Sequence, residues 1–409
     1  MLSLLSEAGQ DPILSISSAF RQDFRLTKLD LGIGLYRDDA GETPIMAAVR
    51  QAQLQQSQCQ TSKAYMHLAG NDGFNQDMIK LLLGDRGDGS QASQRTEAIQ
   101  TPGASGALRL LADLLKLANP NCRIWLSDPS YVNHQPIMQA AGLEVVIYPY
   151  FNRDTHQLDS EAMFKALENA GPDDVVLLHG CCHNPTGADL SLADWHQLAA
   201  LANRQGFMPF VDIAYQGFGQ GLEEDAAGLR ILADSVEQMV IATSCSKSFG
   251  LYRERTGAAL IVGKTAAEAS KSKGQLLQLA RASYSMPPDH GAALVSTILS
   301  DTNLTQLWQD ELTVMRTRLI GLRYALTDSL RQHGDLHGDL HGNGAHFDFI
   351  HAHQGMFSIT GFDAAQVCRL RQDFGIYTLP DGRINIAGLA EHQVDYLAQA
   401  MATVHRALC

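Results

Sequence analysis

Between residues 96 and 263, short apolar runs alternate with longer segments whose apolar residues recur at helical spacing. The runs TEAIQ, CRIWLSD, LEVVIYPY, DVVLLHG, FMPFVD and MVIATS predict strands. ALRLLADLLKLA and SLADWHQLAALANRQG predict helices between them. This alternation predicts an α/β fold: a large domain with a mostly parallel sheet covered by helices on both faces. In open sheets of that kind, ligands bind beyond the carboxyl ends of the strands. The last hundred residues have a different pattern. A long helical pattern, LTQLWQDELTVMRTRLIGLRYALTDSLRQHG, precedes the strand-like pieces HFDFI, GMFSIT and RINIAG and a closing helix, HQVDYLAQAMATVHRAL. These predict a smaller α+β domain. The expected division is an arm at 1–15, part of the small domain at 16–40, the large domain at 41–310, and the small domain at 311–409.

The chain has 409 residues, enough for two domains. Its net charge of −13 argues against nucleic acid and anionic membrane surfaces as partners, because both need basic patches. The seven cysteines are scattered, which fits free thiols in a reducing compartment better than a disulfide framework. The first residues lack a basic stretch followed by a long apolar one, so no signal peptide is expected. No apolar run is long enough to span a bilayer. A soluble cytoplasmic protein is the expectation.

Chemistry-bearing residues fall where the predicted strands end. After TEAIQ come Gly103, Ala104, Ser105 and Gly106, then a helix. A small-residue loop opening a helix is an anion cradle, since its free N–H groups and the helix dipole both favour a phosphate. After CRIWLSD come Ser130, Tyr131 and His134. After DVVLLHG come Cys181, Cys182, His183 and Asn184. Asp212 closes FMPFVD, with Tyr215 three residues on, and Ser244, Ser246 and Lys247 follow MVIAT. Each is compatible alone with a structural role. Together they supply what a pyridoxal phosphate site needs: a lysine for a Schiff base, an acid for the pyridinium nitrogen, donors for the phenolic oxygen, a flat side chain and a phosphate cup. Zinc ligands normally need a gap between cysteines that Cys181-Cys182 lack, so no metal is expected there. His333, His337, His341, His346 and His351 lie in or beside the Gly/Asp-rich stretch HGDLHGDLHGNGAH, which predicts an exposed turn-rich loop rather than a metal site.

HGCCHNPTG, DIAYQGF, SCSKSFGLYRERTGA, TPGASGALR and INIAG resemble the aspartate/aromatic amino acid aminotransferases, fold type I enzymes that use pyridoxal 5'-phosphate. LGIGLYRDDAGETP, GLEEDAAGLR and ASYSMPPDHGA extend the likeness across nearly the whole chain. The resemblance implies that Lys247 carries the Schiff base and then moves the proton. It implies that Asp212 pairs with the pyridinium nitrogen, with His134 orienting it, and that Tyr215 and Asn184 hold the phenolic oxygen. Tyr131 would stack on the ring. Ala104, Ser105, Ser244 and Arg255 would form the phosphate cup, with Tyr65 reaching in from a partner subunit. Arg383 would clamp the substrate α-carboxylate, and Arg281 of the partner subunit would bind a distal carboxylate. Gly34, Asn184, Tyr131 and Phe357 would also border the substrate, and Ile13 and Leu14 of the arm would cover it. Two residues that cross subunits imply a homodimer with shared sites.

The chain departs from the aspartate-selective pattern at the substrate pocket. Tyr131 stands where close relatives usually have tryptophan. Leu35, Ala64, Ser105 and Met286 replace residues that are often more polar, and Thr43 does not follow the aromatic-selective pattern. With Arg281 kept, these changes lead us to expect an aminotransferase for both aromatic and dicarboxylic L-amino acids, with 2-oxoglutarate as acceptor. A strict aspartate:2-oxoglutarate enzyme is the alternative. A different fold type I chemistry and a non-catalytic regulator are also open, the latter disfavoured by the acidic charge.

Overall fold

The computed structural model describes residues 2–6, 12–84, 91–335 and 346–406. The side chains of Ile13 and Leu14, and residues His337 and His341, lie outside the described residues. The chain divides into two compact units. One comprises Pro44–Asn184 and Ala188–Arg318. The other comprises Met1–Thr43, Pro185–Gly187 and Leu319–Cys409.

The larger unit holds a seven-stranded sheet: β1 (Thr96–Pro102), β2 (Arg123–Asp128), β3 (Glu144–Pro149), β4 (Asp174–His179), β5 (Met208–Ile213), β6 (Met239–Ser244) and β7 (Thr256–Val262). Their order is β1-β7-β6-β5-β4-β2-β3. The pairs β6/β5, β5/β4, β4/β2 and β2/β3 are parallel, whereas β7 runs antiparallel to both neighbours. Every residue of β6 and β7 is buried. Burial on both faces explains why MVIATS reads as a continuous apolar run rather than an alternating one. β7 is the strand that the apolar pattern did not single out. Its Gly-Ala-Ala segment has weak strand propensity and follows a charged stretch.

Helix α1 (Gly103–Ala118) packs Ala107, Leu108, Leu111 and Leu115 onto the sheet, in one cluster with Ile99, Phe210, Val240 and Ala259. Its first turn seats directly on β7. A Cβ at Gly257 would lie 2.6 Å from the carbonyl carbon of Gly103 and 2.9 Å from the nitrogen of Ala104. Only glycine allows that approach, and it fixes where the helix's free N–H groups point. The helix Leu192–Gln205 has a capping box between Ser191 and Asp194 and ends at Gly206 with φ of 84°.

The smaller unit has two short ladders. Strand β8 (Phe357–Ile359) pairs antiparallel with β10 (Arg383–Asn385), and Leu29–Asp30 pairs parallel with β9 (Ile376–Tyr377). Leu322, Leu326, Phe347, Ile350, Leu397 and Met401 belong to its core. HFDFI is not a strand. Phe349–Ala352 forms a single helical turn. Burying the neighbours Phe349 and Ile350 together with His353, four residues after Phe349, suits a helix. The Phe347/Phe349 alternation is too short to decide. Among the described residues, no helix is long and apolar enough to cross a membrane.

Candidate active site

Parallel register brings the carboxyl ends of β4, β5 and β6 side by side, with His179 opposite Asp212 and Asp212 opposite Ala242. Asp212 is buried. His134 Nε2 donates to its Oδ2 at 2.9 Å, and His134 Nδ1 meets Ser130 Oγ at 2.8 Å. The other oxygen, Oδ1, is also buried and has no hydrogen-bond partner among the described residues. An unmatched buried carboxylate oxygen is costly, and it marks a place made for a donor. Burial raises the Asp212 carboxyl, but the His134 hydrogen bond and the nearby His134 and Lys247 outweigh it. They hold the group below its ordinary range.

His179 stacks on His134 with ring centroids 5.1 Å apart. Burial, and then the neighbouring His134, push it down to about 3, so it is neutral at working pH. His183 lies edge-on to His179 at 4.1 Å and stacks on Tyr150 at 4.0 Å. Of these rings, His134 bonds Asp212 directly and His179 lies opposite it on the neighbouring strand. Tyr131 is half-buried and meets His134 edge to face at 5.3 Å.

Lys247 follows β6 by three residues, and its Nζ lies 4.7 Å from the centroid of the Tyr215 ring. The Tyr215 hydroxyl accepts from Asn184 Nδ2 at 3.4 Å. Lys247, Tyr215, Asn184, Asp212, His134 and Tyr131 thus form one continuous group.

A second cluster is polar and cationic. Ser244 Oγ donates to Ser246 Oγ at 2.9 Å, and Arg255 Nη1 donates to Ser246 Oγ at 3.4 Å. Arg255 adopts φ of 50°, a left-handed conformation uncommon for a non-glycine residue. A Cβ at Gly103 would lie 2.6 Å from Arg255 Nη2. The start of α1, with Gly103, Ala104 and Ser105, therefore adjoins the serines and the guanidinium. Free helical N–H groups, two hydroxyls and an arginine together can hold a dianion.

Residues 27–401 match the family model for aminotransferase class I and II. The chain belongs to this family. It is 44% identical over 404 residues to the aromatic-amino-acid aminotransferase of Paracoccus denitrificans, covering 99% of this chain and all of that one. It is 40% identical to the aspartate aminotransferase of Escherichia coli, also over 404 residues, 99% of this chain and all of that one. Among solved structures it is similar to the aromatic-amino-acid aminotransferase of Burkholderia pseudomallei covalently bound to pyridoxal phosphate. The TM-score is 0.93, with 39% identity and 99% of both chains covered.

This aminotransferase uses pyridoxal 5'-phosphate, and its residues fit that cofactor. The open Asp212 Oδ1 suits a protonated ring nitrogen, and the cluster at Gly103, Ser244, Ser246 and Arg255 suits the phosphate. Ser246 and His179 were not assigned site roles from sequence. Ser246 lies two residues from Ser244 in the same small-residue run. His179 is the last residue of β4, and the strand-end rule could have picked it out.

Five expected site residues are not among the contacts that make up these clusters. Arg383, Phe357 and Gly34 belong to the smaller unit, where they meet one another. The Arg383 guanidinium lies 4.3 Å over the Phe357 ring, Arg383 Nη2 donates to Gly32 O at 2.7 Å, and a Cβ at Gly34 would touch that ring at 2.9 Å. Arg281 is exposed at the end of the helix Ala266–Ser283 and donates to Ser285 Oγ at 2.8 Å. Tyr65 is 92% exposed.

Cys181, Cys182 and Asp225 come within 4.8 Å of one another. The Asp225 carboxylate accepts backbone N–H groups from Gly217, Gly219, Gln220 and Gly221. The Cys182 thiol is held well above its ordinary range by its hydrogen bond with Cys181 and by burial. A filled carboxylate and protonated thiols make a poor ligand set. A cleft of about 710 Å³, lined by Met208, Met239 and Lys264 among others, opens at the other ends of β5 and β6 and contains none of the expected site residues.

Proposed function

We propose that this aminotransferase moves an amino group between aromatic or dicarboxylic L-amino acids and 2-oxoglutarate, with aromatic donors favoured. The observation that carries the chemistry is the pairing of a buried, open Asp212 oxygen with Lys247 at neighbouring strand ends. Bound pyridoxal phosphate supplies an electron sink for the substrate Cα. Lys247 Nζ would take the proton from the substrate Cα and pass it to the carbon that receives the amino group, reversing the transfer in the second half-reaction. Asp212 keeps a negative charge at Oδ1, and His134 fixes that carboxylate through Oδ2. Tyr215 and Asn184 hold the phenolic oxygen, and Tyr131 flanks the ring. Ala104, Ser105, Ser244, Ser246 and Arg255 hold the phosphate. Arg383, planar and buried against Phe357, binds the α-carboxylate as a fork, for which lysine is a poor substitute. Gly34 keeps the space beside that ring open.

The aromatic preference is supported by Tyr131, Leu35 and Met286 in the sequence and by the relative from Paracoccus denitrificans. Arg281 supports the acceptance of glutamate. Half-reaction spectroscopy tests the reading, by following conversion of the cofactor to its pyridoxamine form. Phenylalanine, tyrosine, tryptophan and glutamate should each convert the holoenzyme faster than aspartate. Fast conversion by aspartate and glutamate alone would make this a strict aspartate aminotransferase.

The same reading makes the working form a homodimer in the cytoplasm. Tyr65 and Arg281 are exposed in the single chain, as residues that complete a partner's site would be. The free thiols of Cys122, Cys181, Cys182 and Cys245 fit a reducing compartment. Sedimentation equilibrium of the holoenzyme should give about twice the 44.5 kDa chain mass. A monomer with full activity would remove Tyr65 and Arg281 from the site.

A further inference from the structure

Arg323 sits in the smaller unit on the long helix Thr302–Asp335 and is 3% exposed. A guanidinium so deeply buried must be matched by acceptors. Five acceptors for it lie on one segment, 350–358. Nη1 donates to Ile350 O at 2.9 Å and to Ser358 Oγ at 2.6 Å. Nη2 donates to Gly355 O and Phe357 O at 2.8 Å each, and to Gln354 O at 3.3 Å. Residues His353–Met356 join a helical turn to β8 without regular structure of their own. The planar fork therefore does for this segment what a ladder does for a strand: it fixes the carbonyl directions.

The segment in turn carries Phe357, the platform 4.3 Å beneath the Arg383 guanidinium and the ring that Gly34 touches. It also receives the turn Pro185–Gly187. Gln354 N donates to Gly187 O at 2.7 Å, and a Cβ at Gly187 would lie 2.5 Å from Phe357 O. The position of Phe357 is thus set from behind by Arg323, and the attitude of Arg383 is set by Phe357.

We propose that Arg323 is a positioning residue for α-carboxylate recognition, acting through Phe357 on Arg383. The inference rests on the reading of Arg383 as the carboxylate clamp. It has a specific signature. The α-carboxylate is the one group that every amino acid and 2-oxo acid substrate shares. Loosening its clamp weakens all substrates by the same factor, whatever their side chains. The residues that hold the cofactor lie in the other unit and make none of these bonds.

Arg323→Lys keeps the charge, but a point ammonium cannot span acceptors from Ile350 to Phe357. In the holoenzyme, KM for phenylalanine, glutamate and 2-oxoglutarate should rise together by about tenfold, as expected for an ångström-scale misplacement. Cofactor content should match the parent, and kcat should stay within about threefold. A lowered melting temperature with unchanged KM would mean a strut and nothing more, and would overturn the proposal. So would a rise in KM for one substrate class alone. Phe357→Leu, which leaves the backbone acceptors of Arg323 in place, guards against a lysine variant that fails to fold. It should give the same uniform rise, and an unchanged KM would break the chain of contacts proposed. Equilibrium Kd values for 3-phenylpropionate and glutarate, which carry carboxylates and no amine, read the clamp without turnover. Both should weaken about tenfold in either variant. Unchanged Kd values would overturn the proposal even in an enzyme whose amino donors proved different, whereas a parent that ignores every proposed donor would overturn only the substrate reading.

Discussion

Lys247→Ala should leave a folded protein that transfers no measurable amino group, with kcat reduced by at least about 10⁴-fold. Lys247 is half-buried, and the strand before it is buried at every position. The fold does not depend on its amine, since Lys247 lies outside the apolar core, so the melting temperature should stay near the parent's. The proposed chemistry does depend on it. No other amine comes with Asp212 and Tyr215 into the cluster described above. Lys247→Arg separates two roles that alanine removes together. Arginine keeps the positive charge that helps hold Asp212 ionised, but it cannot give up its proton at any accessible pH. If proton transfer is the role, the arginine variant is as dead as the alanine one. Single-turnover absorbance with phenylalanine measures both. Borohydride reduction of the parent holoenzyme, followed by peptide mass analysis, should place the cofactor's mass on the Lys247 peptide. A variant with arginine that kept a tenth of the parent's rate would show that charge, not proton transfer, is what Lys247 supplies.

The parallel strands were legible in the sequence because a strand buried on both faces leaves an uninterrupted apolar run, and Lys247, Asp212 and Asn184 stand where such runs stop. The helix Leu192–Gln205 was legible because Ser191, Asp194 and Gly206 punctuate it chemically. β7 was not, because its need is for small residues. Gly257 must let α1 touch the sheet, and that demand leaves no apolar signature. His179 was hidden for another reason. Its importance is a matter of register, opposite Asp212 on a neighbouring strand 33 positions further along the chain, and register appears only when the strands are paired. Arg323 is the extreme case. In the sequence it is one arginine among several on a long helical pattern, and only the folded segment 350–358 shows what it holds.

Asp212→Asn should cost about 10² to 10³-fold in kcat while the cofactor still binds, the range seen when one preorganised electrostatic partner is removed. Asparagine has the same shape and can still meet His134, so that ring need not move. What it lacks is the charge. The buried Oδ1 of Asp212 would be the acceptor for a protonated ring nitrogen, and a charge-assisted bond is roughly twice as strong as a neutral one. The pH dependence follows from the direction of the Asp212 shift. Its folded value lies below 3.8, so the carboxylate's contribution to stability is complete above that value. It is lost only as pH falls through the lower folded value. Asp212 therefore stays ionised throughout the range in which the enzyme can be assayed, and an acid limb near neutrality would belong to another group. The asparagine variant should consequently lower the whole pH–rate profile without moving its acid limb. Steady-state kcat between pH 5 and 9, with a spectroscopic titration of cofactor affinity, separates the outcomes. A kcat within threefold of the parent would mean that the ring nitrogen needs no carboxylate here. A collapse of cofactor affinity as large as the loss in kcat would make Asp212 an anchor, because the cup formed by α1, Ser244, Ser246 and Arg255 should hold the phosphate without it.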